Sequence, residues 1–103
     1  MKATILGNDF NRIMDATKSF CASGDRAQFG YIRLDFDAVA LRVEAYACDG
    51  YRLSVEHSVI GTCDESFTVY LRGGIRLPGK QYATIELVGD EGQIRCNGAL
   101  FGF

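Results

Sequence analysis

ACDGYRLSVEHSVI, residues 47–60, is the stretch that decides how this chain folds. Two runs of alternating residues meet at Asp49-Gly50. Asp-Gly suits backbone positions that need positive φ, so the pair predicts a tight hairpin. Upstream, ALRVEAYA (40–47) sets Leu41, Val43, Ala45 and Ala47 against Arg42, Glu44 and Tyr46. Downstream, YRLSVEHSVI (51–60) puts Leu53 and Val55 on one face. Read as a plain hairpin, the stretch sends Leu53 and Val55 to the core and leaves Arg52 solvated.

The same period continues outward. In FGYIRLDFD (29–37), Ile32, Leu34 and Phe36 oppose Tyr31, Arg33 and Asp35, and a tight turn is expected near Asp37-Ala38. Such alternation marks half-buried antiparallel strands. Before residue 29 the period changes. Phe10, Ile13, Met14, Thr17, Phe20 and Cys21 recur at three- and four-residue spacing, one face of an α-helix. Gly7-Asn8-Asp9 offers side chains that can cap its first turn, and SGDR (23–26) ends it with Gly24 as C-cap. ATIL (3–6) is a short first strand.

After the polar connection GTCDES (61–66), FTVYLR (67–72) is another strand. GGIRLPGKQ (73–81) holds the only proline, Pro78, and is too short and broken for a helix. ATIELVG (83–89), EGQIRCNG (91–98) and ALFGF (99–103) are three more strands, with turns at Asp90-Glu91-Gly92 and Asn97-Gly98. The order is β-α-β-β-β, then β-loop-β-β-β. It predicts one α+β domain over 1–103: a helix-containing half (1–60), a helix-less half (67–103), and one long helix on a largely antiparallel sheet of about seven or eight strands.

Composition narrows the function classes. The chain has 103 residues, 48% of them hydrophobic, enough for one modest core. Net charge is −2, and neither half is a basic arm or an acidic tail. Autonomous binding to nucleic acid through phosphate neutralisation calls for a more basic chain. Cys21, Cys48, Cys63 and Cys96 have no CxxC spacing and the only histidine is His57, so no metal site and no cofactor are expected. MKATILGNDF reaches polar residues too soon for a signal peptide, and no run approaches a membrane span. A cytoplasmic protein with reduced thiols is expected.

At this point a resemblance emerges. Phe10-Asn11-Arg12-Ile13-Met14-Asp15-Ala16-Thr17, followed by Ala47-Cys48-Asp49-Gly50-Tyr51-Arg52-Leu53-Ser54-Val55, resembles the bacterial DNA sliding clamp, the β subunit of DNA polymerase III, and its middle domain most closely. The match is specific over residues 10–60; beyond that it rests on strand order. A clamp subunit has three such domains with two helices each, and two subunits close a ring on DNA. One domain with one helix does not build that ring, so the resemblance implies a stand-alone, reduced relative.

The resemblance also implies sites. Cys48, Gly50, Tyr51, Arg52 and Leu53 would line a pocket that takes linear peptides of replication proteins. Glycine there exposes backbone, leucine gives an apolar floor, and tyrosine and arginine suit a rim. The rest of the family's pocket comes from a following segment and the next domain, so half a pocket is expected. Clamp helices face DNA, which nominates Arg12, Lys18 and Arg26. Asp9, Asp15 and Asp25 interleave with them and cancel the charge, so weak DNA contact is expected only from an oligomer.

No enzyme is expected. His57 has no neighbouring nucleophile motif, Asp35 and Asp37 flank a turn, and GGIRLPGKQ lacks the phosphate-loop pattern. The expected function is a clamp-like replication accessory or protein-interaction module. The alternatives are an oligomeric DNA-associating protein and a structural remnant without a partner site. A sheet short of one helix, with ALFGF at the chain end, predicts self-association, a homodimer favoured. The rival expectation is that GGIRLPGKQ folds back as the cover.

Overall fold

The computed structural model describes residues 1–18, 31–48, 53–72, 75–89, 91–96 and 99–103, with the side chains of Lys18, Ala99 and Phe101 excepted. The element order is β1 (Lys2–Leu6), α1 (Gly7–Lys18), β2 (Tyr31–Asp37), β3 (Arg42–Cys48), β4 (Leu53–Val59), β5 (Thr62–Cys63), β6 (Phe67–Arg72), β7 (Tyr82–Val88), β8 (Glu91–Cys96) and β9 (Ala99–Gly102). The fold is α+β with one helix among the described residues. The expected C-cap Gly24, the expected turns at Asp49-Gly50 and Asn97-Gly98, and helix positions Phe20 and Cys21 lie outside the described residues.

The strands divide between two antiparallel sheets. One runs β5-β1-β7-β8-β9 and the other β4-β3-β2-β6. Each half of the chain gives its first strand to the other half's sheet. β1 pairs with β7, Ala3 opposite Ile85, and β6 pairs with β2, Leu34 opposite Val69. The exchange binds the halves into one core, in which Ile5, Phe10, Ile13, Ile32, Leu71 and Ile94 are fully buried. This division follows from two-sidedness: a sheet with one apolar face must lay it on another layer.

Helix α1 lies against β4, β3 and β1, with Phe10, Ile13, Met14 and Thr17 inward as the spacing predicted. The buried Thr17 hydroxyl donates to Ile13 O at 2.7 Å. The cap differs from expectation. The Gly7 and Asn8 amides donate to the carbonyls of Gln81 and Gly79, both at 2.8 Å. The 75–81 segment therefore satisfies donors that a helix start leaves open. The approach is so close that a Cβ on Gly7 would collide with the Pro78 carbonyl oxygen. Asn11 fixes the same segment: its Nδ2 donates to Leu77 O at 2.8 Å and its Oδ1 accepts from Leu77 N at 2.9 Å. Leu77 is buried in the core and Ile75 packs against it. GGIRLPGKQ thus folds back, its described part lying along α1.

One facing is reversed from the hairpin reading. Leu53 and Val55 are exposed, and the buried β4 position is Ser58. On the inner face Ala47 stands opposite Ser54 and Val43 opposite Ser58. Small side chains at the helix contact let α1 approach, and the period of two then sends Leu53 and Val55 outward. The turn after β2 is capped by Asp37, whose Oδ1 accepts from Val39 N at 2.8 Å and Ala40 N at 3.0 Å. It closes on Leu41 at φ 53°, which draws Leu41 out of the inward row. The short β5 falls in the stretch read as a plain connection.

Candidate functional site

The outer face of the β4-β3-β2-β6 sheet carries most of the chemistry among the described residues. Alternation decides who faces out. β2 shows Tyr31, Arg33 and Asp35, β3 shows Arg42, Glu44, Tyr46 and Cys48, and β6 shows Thr68, Tyr70 and Arg72. The register sets Arg33 between Tyr46 and Tyr70, and Asp35 between Glu44 and Thr68.

These side chains hold one another. Arg33 makes a two-point contact with Asp35, Nε to Oδ1 at 2.9 Å and Nη2 to Oδ2 at 2.8 Å. The Thr68 hydroxyl adds a third bond to Asp35 Oδ1 at 2.7 Å. Partial burial would raise the Asp35 carboxyl, but the bonds from Arg33 and Thr68 and the arginine charge outweigh it and hold it below the usual carboxylate range. The Arg33 guanidinium lies 5.4 Å from the Tyr46 ring centroid, and that of Arg72 lies 4.2 Å from the Tyr31 centroid. The Tyr46 hydroxyl donates to Glu44, and this bond raises the phenol above its ordinary value.

Two concavities open on this face. The larger, about 430 Å³, lies at the 38–41 end among Asp35, Asp37, Arg42, Glu44, Ser66 and Thr68. Its charges are paired or used as turn caps, apart from the buried Arg42 Nε, which lacks a protein acceptor. The smaller, about 240 Å³, lies at the other end among Tyr31, Arg33, Tyr46, Cys48, Leu53 and Tyr70. It is shallower than a small-molecule pocket of ~300–1,000 Å³ and has room for one or two side chains. We favour the smaller as the site: its lining is more apolar, its rim is aromatic and cationic, and it holds residues nominated from sequence.

Of the nominated peptide residues, Cys48 and Leu53 face each other in the β3–β4 register and both line this groove. Gly50, Tyr51 and Arg52 lie outside the described residues, as does Arg26. Sequence reasoning missed Tyr31, Arg33, Tyr46 and Tyr70 as lining. The signal was present: alternation sets Tyr31, Arg33 and Tyr46 outward, and only the register joins them to Cys48.

The helix surface is organised differently. Arg12 donates through Nη2 to His57 O at 2.8 Å and lies 3.7 Å from Glu56. Asp15 pairs with Arg76 at 2.8 Å. Lys18 is the last residue of α1. His57 is exposed and faces Glu44, whose carboxylate is held by Tyr46 and Arg42.

Among the described residues no three His, Cys, Asp or Glu side chains gather where they could hold a metal, and no helix is long and apolar enough to cross a membrane. Cys63 and Cys96 are in no disulfide. Burial, with Asp64 alongside, raises the Cys63 thiol. No family model, no curated protein and no solved structure matches this chain.

Proposed function

We propose that this chain is a non-enzymatic, sliding-clamp-like interaction module of the cytoplasm that docks short linear peptides of DNA-replication proteins. The groove at Cys48 and Leu53 receives them. One observation carries this reading: Cys48 and Leu53, nominated from the resemblance alone, are cross-strand neighbours in an apolar groove rimmed by Tyr31, Arg33, Tyr46 and Tyr70. Leu53 is exposed, so it is available to a ligand rather than spent in the core. Tyrosines and arginine around an apolar floor are the residue types that dominate binding hot spots. The rival surface on α1 offers less to DNA, since Arg12 is engaged by Glu56 and His57.

The test is a titration of a fluorescently labelled clamp-binding peptide, read by anisotropy. The wild-type chain binds. Leu53→Asp and Tyr31→Ala each weaken binding at least ~10-fold, the loss of a modest hot-spot contact. Arg12→Ala binds as wild type. Wild-type affinity in Leu53→Asp would remove the groove from the account.

A further inference from the structure

The exposed apolar residues are unevenly placed. On β4, Leu53 is 64% exposed, Val55 48% and Val59 71%, all on the outward face. Tyr31 and Tyr70 extend the same surface. Contiguous apolar surface of this kind is uncommon on monomers and is a mark of interaction sites.

Strand β4 is also an edge of its sheet, and an open edge invites strand addition. Here that route is closed at its centre. Ile60 N donates to Leu41 O at 3.1 Å, and antiparallel bonding alternates along a strand. Counting back from Ile60, the backbone groups of His57 point away from β3. The outward His57 carbonyl is taken by Arg12, with Glu56 beside it. Helix α1 thus guards the edge while the face beside it stays open. A partner must come onto the face.

Charge says what fits there. Toward the 38–41 end, beyond the internal Arg33–Asp35 pair, the outer face holds Asp37 and Glu44, with Arg42 as the one cation among the described residues. Toward the other end it holds Arg72, among the described residues. A two-fold axis lying in the face and crossing the strands sets each end on its opposite in a second copy. The Asp37 and Glu44 end of one copy then meets the Arg72 end of the other, and Leu53 meets Val59. An isologous contact needs this self-complementarity. Four strands of seven residues span roughly 450 Å² in projection, from ~4.8 Å spacing and ~3.4 Å rise. A standard interface buries ~800 Å² per partner, so the contact is weak and reversible.

We infer that a second copy of this chain docks face to face on this sheet, ridge β4 against ridge β4. The inference does not rest on the peptide reading, but Leu53, Tyr31 and Tyr70 serve both, so a docked copy and a bound peptide compete; Val59 lies outside the groove and reports on the dimer alone.

Sedimentation equilibrium of the full chain, from micromolar to millimolar, tests it. The weight-average mass rises from 11.3 kDa toward twice that value, and added salt or Arg72→Glu pushes the rise to higher concentration. Val59→Glu keeps the wild-type circular dichroism and thermal melt, stays at the monomer mass throughout, and still binds peptide. A wild-type chain that is monomeric at every concentration overturns the inference. So does a dimer indifferent to Val59→Glu, which would place the contact elsewhere, at the β9 edge with Leu100. Leu53 belongs to the groove and to the ridge, so Leu53→Asp weakens the dimer as well as peptide binding, and a dimer unchanged in Leu53→Asp likewise overturns the inference.

Discussion

Asn11 and Leu77 exchange two hydrogen bonds, one in each direction, although 66 residues separate them. A single side-chain amide thereby serves the main chain of the 75–81 segment as a neighbouring strand would. The segment buries Leu77 and gives carbonyls to the first amides of α1. Asn11→Ala leaves both Leu77 groups without that partner in a partly buried place and should cost about 2 kcal/mol. Urea unfolding of the variant measures this; a loss within the error of wild type would mean that water replaces the amide freely.

Gly7 occupies the tightest backbone crossing of the same device. A methyl group at this position meets the Pro78 carbonyl oxygen, a backbone atom with little room to yield. Gly7→Ala should therefore destabilise by about 3 kcal/mol or more, at the upper end of overpacking costs. Thermal melting of Gly7→Ala beside Gly89→Ala discriminates cause. Gly89 is at φ 60° with no atom within 4 Å of an added Cβ, so its penalty is backbone strain alone and should be smaller.

The facing of β4 makes a third prediction. Val55→Thr should move stability by no more than ~0.5 kcal/mol, as an exposed substitution does. Ile32→Ala, at a fully buried site opposite Leu71, should cost about 2–5 kcal/mol. Equal costs at the two positions would return Val55 to the core.

Much of this fold was legible. The period change at residues 29–31 placed the helix before the strands, and β2 and β6 fall where alternation set them. The facing of β4 was not legible, because its inward positions, Ser54, Glu56 and Ser58, are all polar. Ser54 and Ser58 face in so that α1 can approach, and hydrophobicity alone reads such a strand backwards. Division into two sheets was also hidden, since local patterns do not show that β1 and β6 exchange partners. Cys48 and Leu53 came from the resemblance to the clamp motif. Their companions Tyr31 and Tyr70 needed the register, a long-range fact.

Acid should loosen the molecule at identifiable carboxylates. Backbone amides of Ala40 and Val39 lower Asp37, and the Lys2 amide lowers Asp64 despite some desolvation. Burial works against ionised Asp35, yet Arg33 and Thr68 lower it overall. Each folded carboxyl is therefore more acidic than its unfolded counterpart near ~3.9. Between the two values the unfolded chain binds more protons, so these groups stabilise above about pH 4 and their contribution fades as pH falls through the folded values. Stability measured by urea should be flat on the acid side down to about pH 5 and then fall. Asp37→Asn, which keeps an acceptor but does not ionise, should make that fall shallower; an unchanged slope would remove Asp37 from the set.

The groove is the central claim, and amide chemical-shift mapping of the isotope-labelled chain tests it most directly. A clamp-binding peptide and a short DNA duplex are titrated in separate experiments at low salt. The account predicts peptide-induced shifts at Tyr31, Arg33, Tyr46, Cys48, Leu53 and Tyr70, and no comparable response to duplex along Gly7–Lys18. Peptide shifts that map to α1, or a spectrum indifferent to peptide while duplex moves the helix, would contradict it.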